Sequence, residues 1–97
     1  MVDVATRSGA TGIEVRYFAA AADAAGREKD TIELPEGADL GALRTVLVER
    51  YGPDMSRVLS VAAFLLEPGD GGTGELTRDL TRPAGRRVDV LPPFAGG

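Results

Sequence analysis

Hydrophobic and polar residues alternate in three segments of the chain. Within residues 13–17, apolar side chains at positions 13, 15 and 17 are separated by charged ones, and residues 30–34 and 87–91 show the same period of two. Such alternation is typical of strands with one buried face. We therefore predict three strands, the second returning beside the first in a hairpin-like pair that ends at residues 35–37 (Pro-Glu-Gly).

The remaining patterned segments favour helices and one buried strand. The alanine-rich residues 19–25 precede Gly26, which suits the C-cap of a short helix or turn. Asp39 is a suitable N-cap for the longest helix, from Leu40 to about Tyr51, which carries one apolar stripe. One further helical turn is predicted at residues 55–59. The apolar run 61–66 predicts a buried third strand in which Phe64 is a core residue, with a helix left open because periodicity alone does not separate the two.

This order of elements predicts one α+β domain with a single main helix packed across a mixed sheet of four to five strands. That arrangement is the β-grasp, or ubiquitin-like, roll. We predict a disordered leader at residues 1–12, the folded domain at 13–91 and an extended tail at 92–97. The glycine-rich residues 68–74 predict a surface loop of unassigned role. The segment around Leu76 and Leu80 stays unassigned, with an edge strand as one alternative.

Composition excludes several classes of chemistry. The chain has no cysteine and no histidine, so it lacks a disulfide, a thiol nucleophile and the commonest general base, and no metal site is predicted. Its net charge is −4, with one lysine and scattered arginines, which does not match a nucleic-acid-binding face. No apolar run could span a membrane and no signal peptide is apparent. We expect a cytoplasmic protein.

The final six residues, Pro-Pro-Phe-Ala-Gly-Gly, follow directly on the last predicted strand. Two prolines stiffen this spacer, and two glycines without Cβ atoms can pass a narrow channel. Extended at about 3.3 Å per residue, the tail reaches roughly 20 Å. The terminal carboxylate has a pKa of about 3.5 and is a poor electrophile when ionised. Acyl chemistry at Gly97 would therefore require activation by another protein, for instance as a mixed anhydride with AMP.

Two segments carry a resemblance to a known family. Residues 13–19 (Ile-Glu-Val-Arg-Tyr-Phe-Ala) with Gly26, and residues 89–97 (Asp-Val-Leu-Pro-Pro-Phe-Ala-Gly-Gly), resemble the opening and closing segments of the MoaD/ThiS sulfur carriers. Within that family the similarity is strongest to the branch that serves molybdopterin synthase. With the main helix in register between the two segments, the resemblance spans residues 13–97.

The resemblance implies the function of the tail. Gly97 would be adenylated and then converted to a thiocarboxylate, delivering sulfur to precursor Z for molybdenum cofactor biosynthesis. The tail would insert into a partner through Pro92, Pro93, Phe94, Ala95 and Gly96. Phe18 and Leu91 match apolar positions at which the family packs on its partners. The chain would be a sulfur-donating subunit without an active site of its own.

The resemblance also implies a set of partners. These are a ubiquitin-activating-type adenylating enzyme of the MoeB kind, a molybdopterin synthase large subunit of the MoaE kind and a sulfur donor enzyme. No cofactor would be bound by the chain, and ATP would be used by the activating enzyme. Three alternatives stay open: a sulfur carrier for cysteine, thiamine or secondary-metabolite biosynthesis, a ubiquitin-like modifier joined to target lysines, and a plain interaction module with an inert tail.

Overall fold

The computed structural model describes residues 10–67 and 74–93. Within these ranges the strands are β1 (Ala10–Tyr17), β2 (Lys29–Pro35), β3 (Ala63–Glu67), β4 (Glu75–Thr77) and β5 (Arg87–Leu91), and the helices are α1 (Ala20–Ala25), α2 (Leu40–Tyr51) and α3 (Pro53–Val61). The strands form one sheet in the order β2-β1-β5-β3-β4. β5 is central and runs parallel to β1, whereas the other neighbours are antiparallel. This mixed sheet confirms the predicted α+β class.

The core lies between the inner face of the sheet and helices α2 and α3. Every second residue of a strand points toward the helices, and the apolar residues on one face of each helix point toward the sheet. Contact between these two groups of side chains removes both from water. Phe64 is 2% exposed, which confirms that it is a core residue. The largest fully buried side chains are Phe64, Ile32, Leu40, Leu43, Leu47, Met55, Val15, Val88 and Val90.

Backbone pairing extends the first strand beyond the alternating pattern. β1 begins at Ala10 rather than at Ile13, because residues 10–12 pair with Pro35, Leu34 and Glu33 of β2. Small residues carry no hydrophobic pattern, but their main chains hydrogen-bond like any others. The boundary of the predicted leader therefore moves to before Ala10. Residues 1–9 of that leader lie outside the described residues.

The central part of the chain differs from the prediction in a similar way. The single turn predicted at 55–59 is a nine-residue helix, α3, with Pro53 in its first turn. Since this helix continues through Val61, β3 starts at Ala63 rather than at residue 61. Leu76 lies in the edge strand β4, the alternative that the sequence left open. The predicted 68–74 loop falls mostly outside the described residues, which resume at Gly74.

The main helix begins and ends where the sequence indicated. Its N-cap Asp39 accepts a hydrogen bond at Oδ1 from the backbone N–H of Ala42, at 2.8 Å. This bond satisfies one of the N–H groups that lack partners in a helix's first turn. At 12 residues α2 is the longest helix of the described chain, and none of the described helices is long and apolar enough to cross a lipid bilayer.

The connection from β1 to α1 contains a strained residue. Ala19 has φ 52° and ψ −126°, and the N–H of Ala21 donates to the carbonyl of Phe18 at 3.0 Å. This is the geometry of a type II′ turn, whose second residue is usually glycine because a Cβ is disfavoured there. The turn reverses the chain directly after Phe18 and thereby sets where that side chain lies.

Replacing Ala19 with glycine is expected to stabilise the protein by about 1 kcal/mol, because relief of strain exceeds the added entropy of the unfolded chain. Thermal unfolding should then occur about 4–8 °C higher. The matched control is Ala24→Gly, the same change within α1, which should lower stability by a similar amount. A lower unfolding temperature for Ala19→Gly would show that the turn is not strained.

Candidate interaction surface and carboxyl-terminal tail

The tail leaves the protein from the central strand of the sheet. β5 is held on both sides, by β1 through residues 14–17 and by β3 through residues 63–67. Pro92 follows β5 and is buried, whereas Pro93 is exposed. A proline has no N–H to offer a neighbouring strand, so the pairing ends and the chain separates from the sheet here. The tail therefore begins at a rigid, buried anchor.

Exposed apolar side chains surround this point on the outer face of the sheet, opposite the helices. Phe18 is 40% exposed and Leu76 is 63% exposed. The strand register brings further apolar residues next to them. Ala63 pairs with Leu91, Leu65 pairs with Leu76, and Phe18 lies one residue beyond the last β1–β5 pair. We call this set the outer apolar surface: Phe18, Ala63, Leu65, Leu76 and Leu91.

An ion pair bounds the outer apolar surface on the side of β1. Arg16 donates from Nε to Asp89 Oδ1 at 2.9 Å and from Nη2 to Oδ2 at 3.1 Å, a bidentate contact. Asp89 is 4% exposed, and hydrogen bonding and charge attraction from it raise the pKa of Arg16. The guanidinium also lies 5.8 Å from the centroid of the Phe18 ring. Arg16 therefore ties the ring to the outer face of the sheet.

An open groove of about 750 Å³ adjoins Phe18, between the end of β1, α1 and the start of β2. Its walls include Ala19 and Ala22, together with charged residues such as Arg27, Glu28 and Lys29. The groove joins the outer apolar surface at the Phe18 ring. It offers a recess next to an apolar surface, which is a usual setting for an anchoring side chain of a partner protein.

A second polar cluster lies on the inner side of the sheet. The carboxylate of Asp30 is buried and accepts hydrogen bonds from the hydroxyls of Tyr17, at 2.7 Å, and Tyr51. Arg27 Nη1 donates to it at 2.7 Å, and Arg50 Nη1 lies 3.7 Å away. The two tyrosine rings meet edge to face with centroids 6.1 Å apart. The cluster joins β1, β2 and the end of α2.

Burial and hydrogen bonding shift the ionisation of this cluster. Burial on its own would raise the pKa of Asp30, but donation from Tyr51, Tyr17 and Arg27 outweighs it, and the pKa lies below its ordinary value. Burial, and then the hydrogen bond to Asp30, raises the pKa of both tyrosines. The carboxylate is therefore charged and held by three hydrogen bonds at neutral pH. This pairing gives Asp30 a structural role.

The structure places the two predicted partner-binding residues on one surface. Phe18 and Leu91 lie on the same outer face, partly exposed, beside the start of the tail. Pro92 and Pro93 form its first two residues, while the predicted residues Phe94, Ala95, Gly96 and Gly97 lie outside the described residues. Across residues 10–67 and 74–93, no group of three or more Asp or Glu side chains could hold a metal ion.

Sequence reasoning missed the contributions of β3 and β4 to this surface. The apolar run at 61–66 was assigned as a whole to a buried strand, but only alternate residues face the core, and Leu65 points outward opposite Leu76. One signal could have revealed the outward-facing residues of β3. The apolar run in this segment is unbroken, whereas the other strands alternate apolar and polar residues. It indicates one face buried in the core and a second apolar face available to a partner.

Comparisons with solved structures first define the fold. The fold is the β-grasp roll of ubiquitin-like proteins, as predicted. SAMP1 from Haloferax volcanii superposes with a TM-score of 0.66 at 24% identity, covering 89% of this chain and 99% of SAMP1. The Haloferax volcanii HVO 2177 protein superposes with a TM-score of 0.65 at 21% identity, covering 92% of this chain and 89% of that protein.

The sequence comparison then adds a likeness to one curated protein. The chain is 27% identical over 85 residues to a molybdopterin synthase sulfur carrier subunit of Caenorhabditis briggsae, covering 88% of this chain and 96% of that relative. This match confirms the resemblance to the MoaD/ThiS sulfur carriers. No family model matches the sequence.

Proposed function

We propose that this protein is the sulfur carrier subunit of a molybdopterin synthase and carries sulfur as a thiocarboxylate on Gly97. The observation that supports this most is the position of the tail. It starts from the central strand at a buried proline and leaves the fold beside the outer apolar surface. A partner that covers this surface would receive the tail in a defined direction, toward a site within about 20 Å.

The chemistry of the proposal requires two further proteins. In the active site of a MoeB-like enzyme, a carboxylate oxygen of Gly97 attacks the α-phosphorus of ATP, and pyrophosphate leaves. Sulfide sulfur from a donor enzyme then attacks the carbonyl carbon of the adenylate and displaces AMP. The product is a thiocarboxylate with a nucleophilic sulfur. We place these steps in the cytoplasm.

The partner that consumes the sulfur would be a MoaE-like large subunit. Its surface would cover the outer apolar surface, and the tail would extend from Pro93 into its active site. The chain itself contributes no histidine or cysteine, so acid–base groups for the transfer would come from that partner. In this division of labour the β-grasp domain supplies binding energy and direction, and Gly97 supplies the sulfur.

The proposal is tested by intact-protein mass spectrometry. The chain is incubated with ATP, a sulfide source and a ubiquitin-type activating enzyme from the same cell. We expect a mass increase equal to replacement of one oxygen by one sulfur, located at Gly97. The control variant, which ends at Ala95, should show no change.

An unchanged mass with an activating enzyme that is competent on another carrier would overturn the proposal. Loss of the sulfur on adding precursor Z and the large subunit would identify the pathway, whereas its retention there would point to another sulfur acceptor. Attachment of Gly97 to lysine side chains of other proteins, seen in the same spectra after digestion, would show a protein modifier.

A further inference from the structure

The outer edge of β2 is unpaired in the described structure. β2 ends the sheet, with β1 on its other side. The N–H of Tyr17 donates to the carbonyl of Glu28 at 2.9 Å, which sets the phase of the β1–β2 ladder. Even-numbered residues of β2 therefore bond β1. The N–H and C=O groups of Lys29, Thr31 and Glu33 point outward, away from β1.

The side chains on this edge carry charges without partners. Lys29 and Glu33 are exposed and take part in none of the salt bridges found among the described residues. The residue across from Lys29 on β1 is Arg16, a like charge, and the residue across from Glu33 is Gly12, which has no side chain. The sheet itself therefore leaves both charges unsatisfied.

We propose that β2 pairs with β2 of a second copy of this chain, antiparallel, about a two-fold axis at Thr31. In this register Lys29 lies opposite Glu33 of the other copy, Thr31 lies opposite Thr31, and Glu33 lies opposite Lys29. Each of these residues presents its N–H and C=O to the new ladder, and every charge gains an opposite charge. The result is a continuous sheet containing two copies of the five strands.

The neighbouring registers fit less well. Moving the pairing by two residues in one direction places Lys29 opposite Pro35, which has no N–H to donate. Moving it in the other direction places Lys29 opposite Thr31, where it gains no opposite charge, and places Glu33 opposite Arg27, which precedes β2 and already donates to Asp30. Pro35 also ends the favoured pairing, because the ladder cannot continue past it. The edge is thus limited to a short, self-complementary segment, which suits a weak and reversible dimer.

This dimer leaves the outer apolar surface uncovered, although Lys29 also lines the groove beside Phe18. β2 and β5 are separated by β1, so the outer apolar surface lies away from the new ladder. A two-fold axis perpendicular to the sheet puts both outer faces on the same side and reverses β5 between copies. The two tails then leave from opposite ends of the joined sheet. The pairing does not depend on the chemistry of Gly97 and goes beyond the proposed function.

The test is sedimentation equilibrium of the full chain at low salt over a range of concentrations. We expect a monomer–dimer equilibrium for the natural sequence. Lys29→Glu or Glu33→Lys alone places like charges opposite each other twice and should weaken dimerisation roughly tenfold or more. An equimolar mixture of these two variants should dimerise again, because each heterodimer contact then joins glutamate to lysine.

A second variant tests the ladder itself. Thr31→Pro removes an outward N–H without removing a bond to β1, and it should abolish dimerisation while the thermal unfolding of the monomer is retained. Monomeric behaviour of the natural chain at every concentration would overturn the proposal. So would a dimer that is insensitive to both charge reversals, or a mixture of the two variants that stays monomeric.

Discussion

Replacing Phe18 with serine is expected to weaken binding of a molybdopterin synthase large subunit by roughly 30-fold or more. The ring is 40% exposed and lies at the junction of the outer apolar surface and the adjoining groove. Exposed aromatic side chains at such positions commonly supply a large share of binding energy. The ring contacts Arg16, whose side chain is 38% exposed, so the fold should survive the change. Isothermal titration calorimetry measures the affinity, and thermal unfolding checks the fold.

The matched control is Val61→Ser. Val61 is 47% exposed and lies at the end of α3, in the helical layer on the other side of the sheet. Loss of an exposed apolar side chain there should leave the affinity unchanged within experimental error. Equal weakening by both variants would contradict the assignment of the partner to the outer face. Unchanged binding by Phe18→Ser would remove Phe18 from the interface.

Replacing Asp30 with asparagine is expected to destabilise the protein by about 2–4 kcal/mol at neutral pH. The buried carboxylate accepts hydrogen bonds from Tyr17, Tyr51 and Arg27. An uncharged amide accepts more weakly, and its NH₂ group meets donors instead of acceptors. For a chain of this size the midpoint of thermal unfolding should fall by roughly 10–25 °C. Asp54→Asn is the matched control, because Asp54 is 73% exposed and should change stability by less than about 0.5 kcal/mol.

The pH dependence shows whether charge is the cause. The folded-state pKa of Asp30 lies below its ordinary value of 3.8, so the folded state favours the charged form. The resulting stability is fully present above the unfolded-state pKa and is lost as the pH falls through the folded-state pKa. The difference in the free energy of unfolding between the natural protein and Asp30→Asn should therefore become smaller below about pH 4. If the difference in the free energy of unfolding stays the same in acid, packing and not charge causes the lower stability of Asp30→Asn.

Local patterns in the sequence account for most of the elements. The N-cap at Asp39, the left-handed Gly26 after α1 and the alternation in β5 each determine a boundary through chemistry within a few residues. The start of β1 depends on pairing with β2, which a pattern of side chains does not contain. Helix α3 has a local signal, Pro53 in its first turn, which the apolar pattern alone does not reveal.

The site divides in the same way. Phe18 and Leu91 were found through a resemblance that spans motifs near both ends of the chain. Leu65 and Leu76 were missed, because each belongs to the surface only through pairing between β3 and β4. Asp30 could not be distinguished from other acidic residues on strands, since its burial results from Tyr51, which is distant in sequence. Its role emerges only when α2 packs on the sheet.

The sequence by itself determined the α+β class, the main helix and the final strand, because each depends on local periodicity or capping. It also determined the absence of histidine and cysteine. Only the tertiary structure decided which residues share the outer face and which charges on the edge of β2 lack a partner. Both follow from strand order and register, which long-range hydrogen bonds and burial of one sheet face select together.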